Sequence, residues 1–233
     1  MTDSAFITGT SSGLGQALAA ELLEQGRTVY GLSRRSAGFD SSDFQAAQVD
    51  LSELDAIAPA LDRIIGEAHI SLVILCAGML GEFKTMPELG LAELRRAMDI
   101  NVWANKIILD WFARHRAPQQ VILISSGAGV TGNKGWGSYA LSKAALNMLT
   151  QLYAHDLPGT HLTALAPGLV HTAMQDYISG VDVDEFPSVK RLQDARGTAA
   201  MPSPRAAART LLEALPQLRA QYASGSFADL RRM

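Results

Sequence analysis

The chain has 233 residues, which permits one good-sized domain or at most two small ones. Apolar residues make up 48% of it and charged residues 18%, and the formal net charge of −3 gives no reason to expect a nucleic acid or an anionic membrane as a partner. One cysteine excludes an internal disulfide, and without a secretory signal or an apolar run near the ~18 residues of a membrane span we expect a cytoplasmic protein.

Short apolar runs alternate with longer helical patterns along the chain. The runs predict strands at residues 4–8, 28–33, 46–50, 71–76, 120–125 and 161–166. The helical patterns predict helices at 13–25, 53–66, 91–116, 138–156 and 203–215. This alternation is typical of an α/β fold with a single Rossmann-type, doubly wound parallel sheet of about seven strands and helices on both faces. We take residues 1–233 as one domain.

The first candidate strand runs directly into a glycine-rich turn, in the stretch FITGTSSGLGQALAAELLEQG. Gly9, Gly13 and Gly15 remove Cβ atoms where the backbone turns sharply and approaches a ligand. The helix that follows offers free N–H groups and a positive dipole end to a pyrophosphate, and a sharp turn with nothing bound is the alternative. Gln16 stands where the phosphate loop of a nucleoside triphosphatase requires Lys, which excludes a kinase or ATPase of that type.

The turn TGTSSGLG resembles the T-G-x-x-x-G-x-G motif of the short-chain dehydrogenase/reductase family, whose compact members have a similar length. The resemblance implies an oxidoreductase that uses a nicotinamide cofactor. It also implies the residues of the cofactor site, which are Gly9, Ser11, Ser12, Gly13, Leu14, Gly15, Ser33, Arg34, Arg35, Asp50, Leu51, Ala77, Gly78, Tyr139, Lys143, Pro167, Gly168, Val170 and Thr172.

The end of the second strand indicates which nicotinamide is bound. An acid at this place hydrogen-bonds the ribose of NAD, whereas an Arg accepts the 2′-phosphate of NADP. Ser33 holds the place of the acid here, and Arg34 and Arg35 follow it. Because a guanidinium binds a phosphate through paired, charge-assisted hydrogen bonds, we expect NADP(H); two solvated Arg side chains are the alternative. Asp50 is either the adenine-contacting acid of the family or the N-terminal signal of the next helix.

Four residues, in the order of the family, resemble its catalytic set: Asn101, Ser126, Tyr139 and Lys143. Tyr139 and Lys143 stand four apart and share one helix face, and Ser126 precedes Tyr139 by thirteen residues. Singly, each has an ordinary alternative: a solvated pair on a helix, a serine at a strand end, an asparagine facing solvent. Together, on one side of a parallel sheet, they predict an active site.

Carbonyl reduction requires these residue types. Hydride transfer places negative charge on the carbonyl oxygen, and Tyr139 would donate the neutralising proton. A Lys143 ammonium about 4 Å away, at an effective dielectric constant of about 20, contributes up to roughly 4 kcal/mol and would lower the pKa of Tyr139 by up to about three units. The resemblance assigns the nicotinamide ribose to Lys143, the carbonyl oxygen to Ser126, and a water in a proton relay to Asn101.

Three further runs, KGWGSYALSKAALNML, LAPGLVHTAMQ and SGSFADLR, are similar to sepiapterin reductase and to the bacterial benzil-type diketone reductases. The likeness implies that Asp229 and Trp136 contact the substrate beside Ser126 and Tyr139; a surface acid and a core or interface Trp are the alternatives. It also favours a substrate lid at 171–201 over a disordered insert or a surface loop. We therefore expect an NADPH-dependent reductase of a diketone or of a pterin side-chain ketone.

The sequence departs from the family at one place, where Leu75 and Cys76 replace the two Asn residues that usually precede Ala77 and Gly78. The replacement puts the local hydrogen bonding in question, and Cys76 has the context of an inert buried thiol. The five His residues are scattered without ligand spacing, so no metal is expected. The run ISSGAG lacks the leading Gly of a serine hydrolase.

The alternative from a different functional class is a non-catalytic NADP-binding regulatory protein on the same fold. Such a protein would be expected to lose Tyr139, Lys143 or Ser126, and all three are present. The expected partners are a small carbonyl substrate and further copies of the chain, since the helices around Asn101 and Tyr139 resemble those that pair subunits in this family. We expect a homodimer or homotetramer.

Overall fold

Seven strands form one sheet in the computed structural model of the chain, which describes residues 4–233. They are β1 (Ser4–Thr8), β2 (Thr28–Ser33), β3 (Phe44–Gln48), β4 (Leu72–Leu75), β5 (Gln120–Ile124), β6 (His161–Ala166) and β7 (Ser226–Asp229). The order across the sheet is β3-β2-β1-β4-β5-β6-β7, and every neighbouring pair is parallel. The predicted fold class is confirmed, and the carboxyl ends of all seven strands lie along one edge.

Eight α-helices connect these strands within the described residues. They are α1 (Gly13–Glu24), α2 (Ile57–Ile65), α3 (Leu91–Met98), α4 (Ala104–Arg114), α5 (Gly137–Asp156), α6 (Ala173–Ser179), α7 (Lys190–Ala195) and α8 (Pro204–Gln221). No helix in residues 4–233 combines the length and the apolar character that crossing a membrane requires.

Alternate side chains of the central strands pack into two separate hydrophobic cores. Phe6 of β1 faces the core that contains α2, α4 and α5, whereas Ala5 and Ile7 face the core that contains α1 and α8. All three side chains are fully buried. A parallel strand covered on both faces needs an apolar side chain at every position, which explains the continuous apolar runs in the sequence.

The predicted helix 91–116 is divided in the structure. α3 and α4 flank a π-helical turn at Asp99–Trp103, which contains Asn101, and α4 ends at Arg114. A π turn inserts one extra residue into the helical ladder and often occurs at a functional site. The periodicity of the apolar residues did not predict it, because a single π turn hardly disturbs the spacing.

Other boundaries also differ from the predictions. β3 begins and ends two residues before 46–50, so Asp50 lies beyond the strand. α8 continues past residue 215 through Pro216, because side chains on both sides of the proline pack into the core below it. β7 has no counterpart among the predicted strands, since its four residues form too short an apolar run.

The 171–201 segment is largely helical. It contains α6, a 3₁₀ turn at Pro187–Val189 and α7, which makes it unlike a disordered insert. Its apolar side chains form a third hydrophobic cluster, separate from the two cores, and this cluster also includes Phe83 and Trp136 from outside the segment. The segment therefore packs against the start of α5.

Candidate active site

The glycine turn between β1 and α1 lies at the carboxyl edge of the sheet. Gly9 has a φ of +82°, and a Cβ on Gly15 would lie only 2.4 Å from the carbonyl oxygen of Gly9. These two positions therefore require glycine. Ser12 precedes α1 without forming a side-chain cap, and the first turn of α1 contains no acidic residue. The first N–H groups of α1 remain available to an anion, and the turn fits a cofactor pyrophosphate.

A cleft of about 1100 Å³ opens above this turn. Every residue that the sequence assigns to the cofactor or the substrate lines it, from Gly9 to Asp229. Asn101 is the one predicted site residue in the described chain that does not, because it is fully buried behind the wall. The carboxyl ends of parallel strands thus bring the predicted residues together, as expected for ligand binding in an open α/β sheet.

Lys143 lies beneath Tyr139 on the face of α5 that faces the cleft. Its side chain is almost completely buried, and Nζ donates a 2.6 Å hydrogen bond to the carbonyl oxygen of Ile124 at the end of β5. Nζ lies 5.6 Å from the centre of the Tyr139 ring. An ammonium has three N–H donors, so two remain for a ligand in the cleft.

Ser126 lies beside Tyr139 at the end of β5. Its Oγ accepts a 3.1 Å hydrogen bond from the backbone N–H of Ala128, which caps a short 3₁₀ turn and orients the side chain. The Ser126 hydroxyl also lies close enough to the Tyr139 phenol to lower the pKa of that phenol. The two hydroxyl groups therefore face the same point in the cleft, where a carbonyl oxygen would accept a hydrogen bond from each.

The electrostatics of this trio differ from the expectation. Burial raises the pKa of Tyr139 above its ordinary value, and the hydrogen bond from Ser126 opposes that rise. Burial also lowers the pKa of Lys143 to about 8. The expected lowering of the Tyr139 pKa by Lys143 is therefore wrong for this structure: desolvation, which sequence spacing does not report, is the largest influence on that pKa, and Lys143 is not among its causes.

Asn101 joins three parts of the fold. Its Oδ1 accepts a 2.8 Å hydrogen bond from the N–H of Met79, and its Nδ2 donates to the Met79 carbonyl oxygen and to Ser142 Oγ, each at 2.9 Å. The π turn directs the side chain at the loop after β4 and at α5. These bonds place Asn101 as a support of the catalytic helix, while its predicted role in holding a water remains a prediction.

The loop after β4 keeps its hydrogen bonds despite the replacement of the family's two Asn residues. The N–H of Ala77 donates to Thr8 Oγ1 at 3.0 Å, and Met79 is bound by Asn101. Leu75 is buried in one core and Cys76 packs against the other. Burial raises the pKa of the Cys76 thiol to about 12, so the thiol stays protonated and is a poor nucleophile.

The adenosine end of the cleft contains two arginines after β2. Arg34 and Arg35 are exposed, and within residues 4–233 neither side chain forms a hydrogen bond or an ion pair. Ser33 is buried and donates to the carbonyl oxygen of Arg35 at 2.7 Å.

Asp50 follows β3 and lines the same cleft. Asp50 Oδ1 accepts bonds from the N–H and Oγ of Ser52, and these hold the pKa of Asp50 below its usual range. Helix α2 begins well after it, so Asp50 is not the cap of that helix.

The loop after β6 lines the cleft with residues that the sequence analysis assigned to the cofactor. Gly168 has a φ of +82°, which suits a Pro-Gly turn after Pro167. A Cβ on Gly13 would lie 3.2 Å from Thr172 Cγ2, so this loop contacts the glycine turn. The two predicted cofactor segments therefore form adjoining walls.

The substrate end of the cleft has an aromatic wall. Trp136 Nε1 donates a 2.8 Å hydrogen bond to Ser188 Oγ in the 171–201 segment, and the Trp136 ring packs edge-on against Phe83 and lies 6.1 Å from the Tyr139 ring. Trp136 thus lines the cleft and also bonds the 171–201 segment, which lines the cleft through Ser188. Phe83 packs behind Trp136 and is not among the residues that line the cleft.

The cleft is also lined by Asp229, which lies at the end of β7. It is 7% exposed, and both of its carboxylate oxygens accept hydrogen bonds from the Arg231 side chain. Asp229 is therefore not a surface acid, although contact with a substrate remains a prediction. Arg231 lines the cleft and was missed by the sequence analysis; its spacing of two residues from the strand-end acid was the available signal.

Comparisons with known proteins agree with this geometry. The family model described as short chain dehydrogenase matches residues 3–180. A benzil reductase ((S)-benzoin forming) from Bacillus subtilis (strain 168) is 30% identical over 223 residues, covering 90% of this chain and 91% of that protein. An NADPH-dependent pterin aldehyde reductase from Arabidopsis thaliana is 26% identical over 181 residues, covering 72% and 75%. A solved short-chain dehydrogenase/reductase from Saccharomyces cerevisiae has a TM-score of 0.88 at 21% identity, covering 98% and 96%.

The relatives confirm the likeness to benzil and pterin reductases that the sequence motifs indicated. Among solved structures of the same fold, a 4-hydroxyisoleucine dehydrogenase is complexed with NADH and ElxO has NADP bound. The family model covers more than half of the chain, and its motif residues line one cleft. The chain therefore belongs to the short-chain dehydrogenase family of oxidoreductases.

Proposed function

We propose that this protein is an NADPH-dependent carbonyl reductase of a diketone, or of a pterin side-chain ketone. The observation that carries the proposal is the position of Ser126 and Tyr139, whose hydroxyl groups face one point of the cleft above the buried ammonium of Lys143. The same cleft contains the glycine turn that fits a pyrophosphate. A reducible carbonyl between them would meet a proton donor, a hydrogen-bond donor and a cofactor site.

The preference for NADPH rests on Arg34 and Arg35. Both guanidinium groups line the adenosine end without a protein partner among the described residues, and no carboxylate holds the position after β2. Two free cations would stabilise a 2′-phosphate, whereas a ribose hydroxyl gains little from them. The relative from Arabidopsis thaliana, whose name includes NADPH dependence, is in keeping with this choice.

Each residue of the cleft has its own part in the proposed reduction of a carbonyl group. The nicotinamide, when bound, supplies one hydride, which brings two electrons to the carbonyl carbon. Tyr139 gives its phenolic proton to the carbonyl oxygen as the C=O π bond breaks, which leaves a hydroxyl group. Ser126 holds that oxygen by donating its own hydrogen bond. Lys143 directs its two free N–H groups at the ribose side and limits the cost of the phenolate that forms.

The 171–201 segment is proposed as the lid over the substrate. It is tied to the aromatic wall through Trp136 and Ser188, and its small apolar cluster is separate from the cores. A segment that packs on the rest of the chain mainly through one side can move without disturbing the sheet. Closure would exclude water from the reacting carbonyl.

We further propose that the protein is a cytoplasmic homodimer or homotetramer. The outer face of α5 carries Leu141, Met148 and Leu152, each at least half exposed, and Trp103 is exposed nearby on the π turn. The inner face of α5 is buried, so this helix is apolar on two sides. A helix that is apolar on both sides is typically covered on both, which favours a second copy of the chain here.

The test of the function is an NADPH oxidation assay with benzil, sepiapterin and simple aldehydes. Wild type should reduce at least one dicarbonyl or pterin substrate. Tyr139→Phe should lower kcat by about 10²- to 10⁴-fold, because a general acid contributes that much, and should bind NADPH as wild type does. Tyr222→Phe, which removes a hydroxyl outside the cleft, is the control. Tight NADPH binding by wild type without turnover of any carbonyl would instead favour the regulatory protein.

A further inference from the structure

The strand end at β7 holds an arginine in the substrate end of the cleft. Arg231 Nε donates to Asp229 Oδ1 at 2.9 Å, and Nη2 donates to Asp229 Oδ2 at 2.5 Å. The backbone N–H of Arg231 also donates to Oδ1, at 3.1 Å. Asp229 is 7% exposed, whereas the Arg231 side chain is 43% exposed. A buried acid therefore fixes a guanidinium whose outer edge faces the cleft.

Two loops of the cleft approach this side chain. A Cβ on Gly168 would lie 3.3 Å from Arg231 Cγ, which is a tight approach, and a Cβ on Gly127 would lie 3.8 Å from Arg231 Nη2, which is ordinary contact distance. Gly127 directly follows Ser126, which holds the reacting oxygen in the proposed function. The guanidinium thus lies near the loop that contains the catalytic serine.

Most of the hydrogen-bonding capacity of Arg231 is unused. A guanidinium has five N–H donors, and Asp229 accepts from two of them. Within residues 4–233 the remaining N–H groups, including both on Nη1, have no protein acceptor. Because the carboxylate balances the positive charge, the pair presents a planar set of donors with little net charge. Such a set suits a neutral oxygen as well as an anionic one.

Resting on the proposed function, we propose that Arg231 selects the substrate by binding a second oxygen next to the reacting carbonyl. Ser126 and Tyr139 hold the oxygen that is reduced, and Arg231 holds the oxygen on the neighbouring carbon. The preferred substrate is then a 1,2-dicarbonyl compound rather than a simple ketone. Asp229 is a positioning residue that acts through Arg231 and does not itself contact the substrate.

The test compares two substrates that share one skeleton, benzil and deoxybenzoin, in which a CH₂ group replaces one of the two carbonyls. Wild type, Arg231→Met and Arg219→Met are compared by the ratio of kcat/KM for benzil to that for deoxybenzoin. Dividing the ratio of a variant by the ratio of wild type cancels the intrinsic difference in reactivity. Where deoxybenzoin is not reduced, its binding is measured instead as an inhibition constant against a common substrate. The ratio of that inhibition constant to the KM for benzil is then compared among the variants.

The ratio should fall by about 10- to 100-fold in Arg231→Met, as expected for the loss of one hydrogen bond from a charged donor, with the loss mainly in the KM for benzil. It should stay unchanged in Arg219→Met, which removes an equal charge from an exposed position outside the cleft. The KM for NADPH should not move in either variant.

Arg231→Met leaves a buried carboxylate without its partner, and the variant could lose stability for that reason. The double variant Asp229→Asn/Arg231→Met removes both charges and should show the same loss of selectivity with a wild-type melting temperature. An equal fall for both substrates, or the same fall in Arg219→Met, overturns the role of Arg231 while leaving the reductase intact. A wild type that reduces no carbonyl overturns the proposed function itself.

Discussion

The Ser126 hydroxyl lies beside the phenol of Tyr139 and lowers the pKa of that phenol, although the two residues belong to different elements of the fold. This effect acts against burial, which raises the pKa of Tyr139. In the proposed function Ser126 therefore has two effects: it holds a substrate oxygen, and it limits how far the pKa of the acid rises. The two effects can be separated by pH, because the first changes the rate and the second changes the pH at which the rate falls.

Ser126→Ala should lower kcat for reduction by about tenfold or more and should also move the alkaline limb of the pH profile upward. The upward movement follows because removing a bond that lowers the pKa of Tyr139 leaves the phenol protonated to a higher pH. The measurement is kcat/KM for reduction across the alkaline range. Ser125→Ala, which changes a neighbour bonded to Asn147, should leave that limb in place.

Arg34→Ala/Arg35→Ala should raise the KM for NADPH by about 10- to 100-fold and change the KM for NADH much less. The reason is that charge-assisted hydrogen bonds to a 2′-phosphate are lost, and NADH has no such phosphate. Steady-state kinetics with both cofactors measure the difference. Arg116→Ala removes an exposed charge outside the cleft and serves as the control. Equal changes for NADPH and NADH would contradict the assignment of these two residues.

Lys143→Met should abolish turnover and should change the pH dependence of stability. A pKa of about 8 in the folded chain against 10.5 in the unfolded chain makes the buried charge cost roughly 3 kcal/mol at pH 7. The folded chain releases this proton first, so wild type gains stability between about pH 8 and 10.5 and the variant lacks that gain.

Urea unfolding at pH 7 and near pH 10 measures this difference. The free energy of unfolding of the variant, relative to wild type, should fall by about 2–3 kcal/mol between the two pH values. Lys190→Met, at an exposed lysine, should show no such change. A pH-independent difference for Lys143→Met would mean that the ammonium is not held at a lowered pKa.

Asn101→Ala should lower the free energy of unfolding by about 2–4 kcal/mol, because it removes three hydrogen bonds and leaves the half-buried N–H and carbonyl oxygen of Met79 without the partners they have here. Asn105 is the matched control: it is equally buried, but its side chain makes one bond, to the carbonyl oxygen of Asn101. Asn105→Ala should therefore cost less. Equal losses in urea unfolding would show that the π turn does not depend on the Asn101 side chain.

Met148→Glu/Leu152→Glu should convert an oligomer into a monomer, because two charges would be buried at the proposed interface of α5. Sedimentation velocity measures the mass. Gln151→Glu adds a charge to an exposed polar position of the same helix and should leave the mass of wild type. A wild type that sediments as a monomer at micromolar concentration would overturn the proposed assembly.

The part of the site that sequence reasoning recovered consists of residues whose chemistry demands a type and a spacing. Gly15 must be glycine because a Cβ would strike Gly9, and Tyr139 and Lys143 must share a helix face. Such constraints act between residues that are close in the chain, so they can be recognised in the sequence. The strands were recovered for a similar reason, since burial on both faces requires continuous apolar runs.

The missed features depend on neighbours that are distant in the chain. The partners of Asn101 are 22 and 41 residues away, and Arg231 packs closely against Gly168 in another loop. The pKa of Tyr139 depends on how completely the fold removes water from it, and spacing carries no information on that. These properties belong to the packed structure.

The separate hydrophobic cluster of the 171–201 segment has a consequence for changing the enzyme. The cluster joins the rest of the chain through Phe83, Trp136 and a few neighbouring side chains, and it shares no residue with the two cores that support the sheet. If the segment is the proposed lid, we expect substitutions inside this cluster to alter the space above the reacting carbonyl without disturbing the two cores. The 171–201 segment is therefore the part of the chain to substitute when the aim is a preference for bulkier or smaller ketones, because the proposed catalytic residues would stay unchanged.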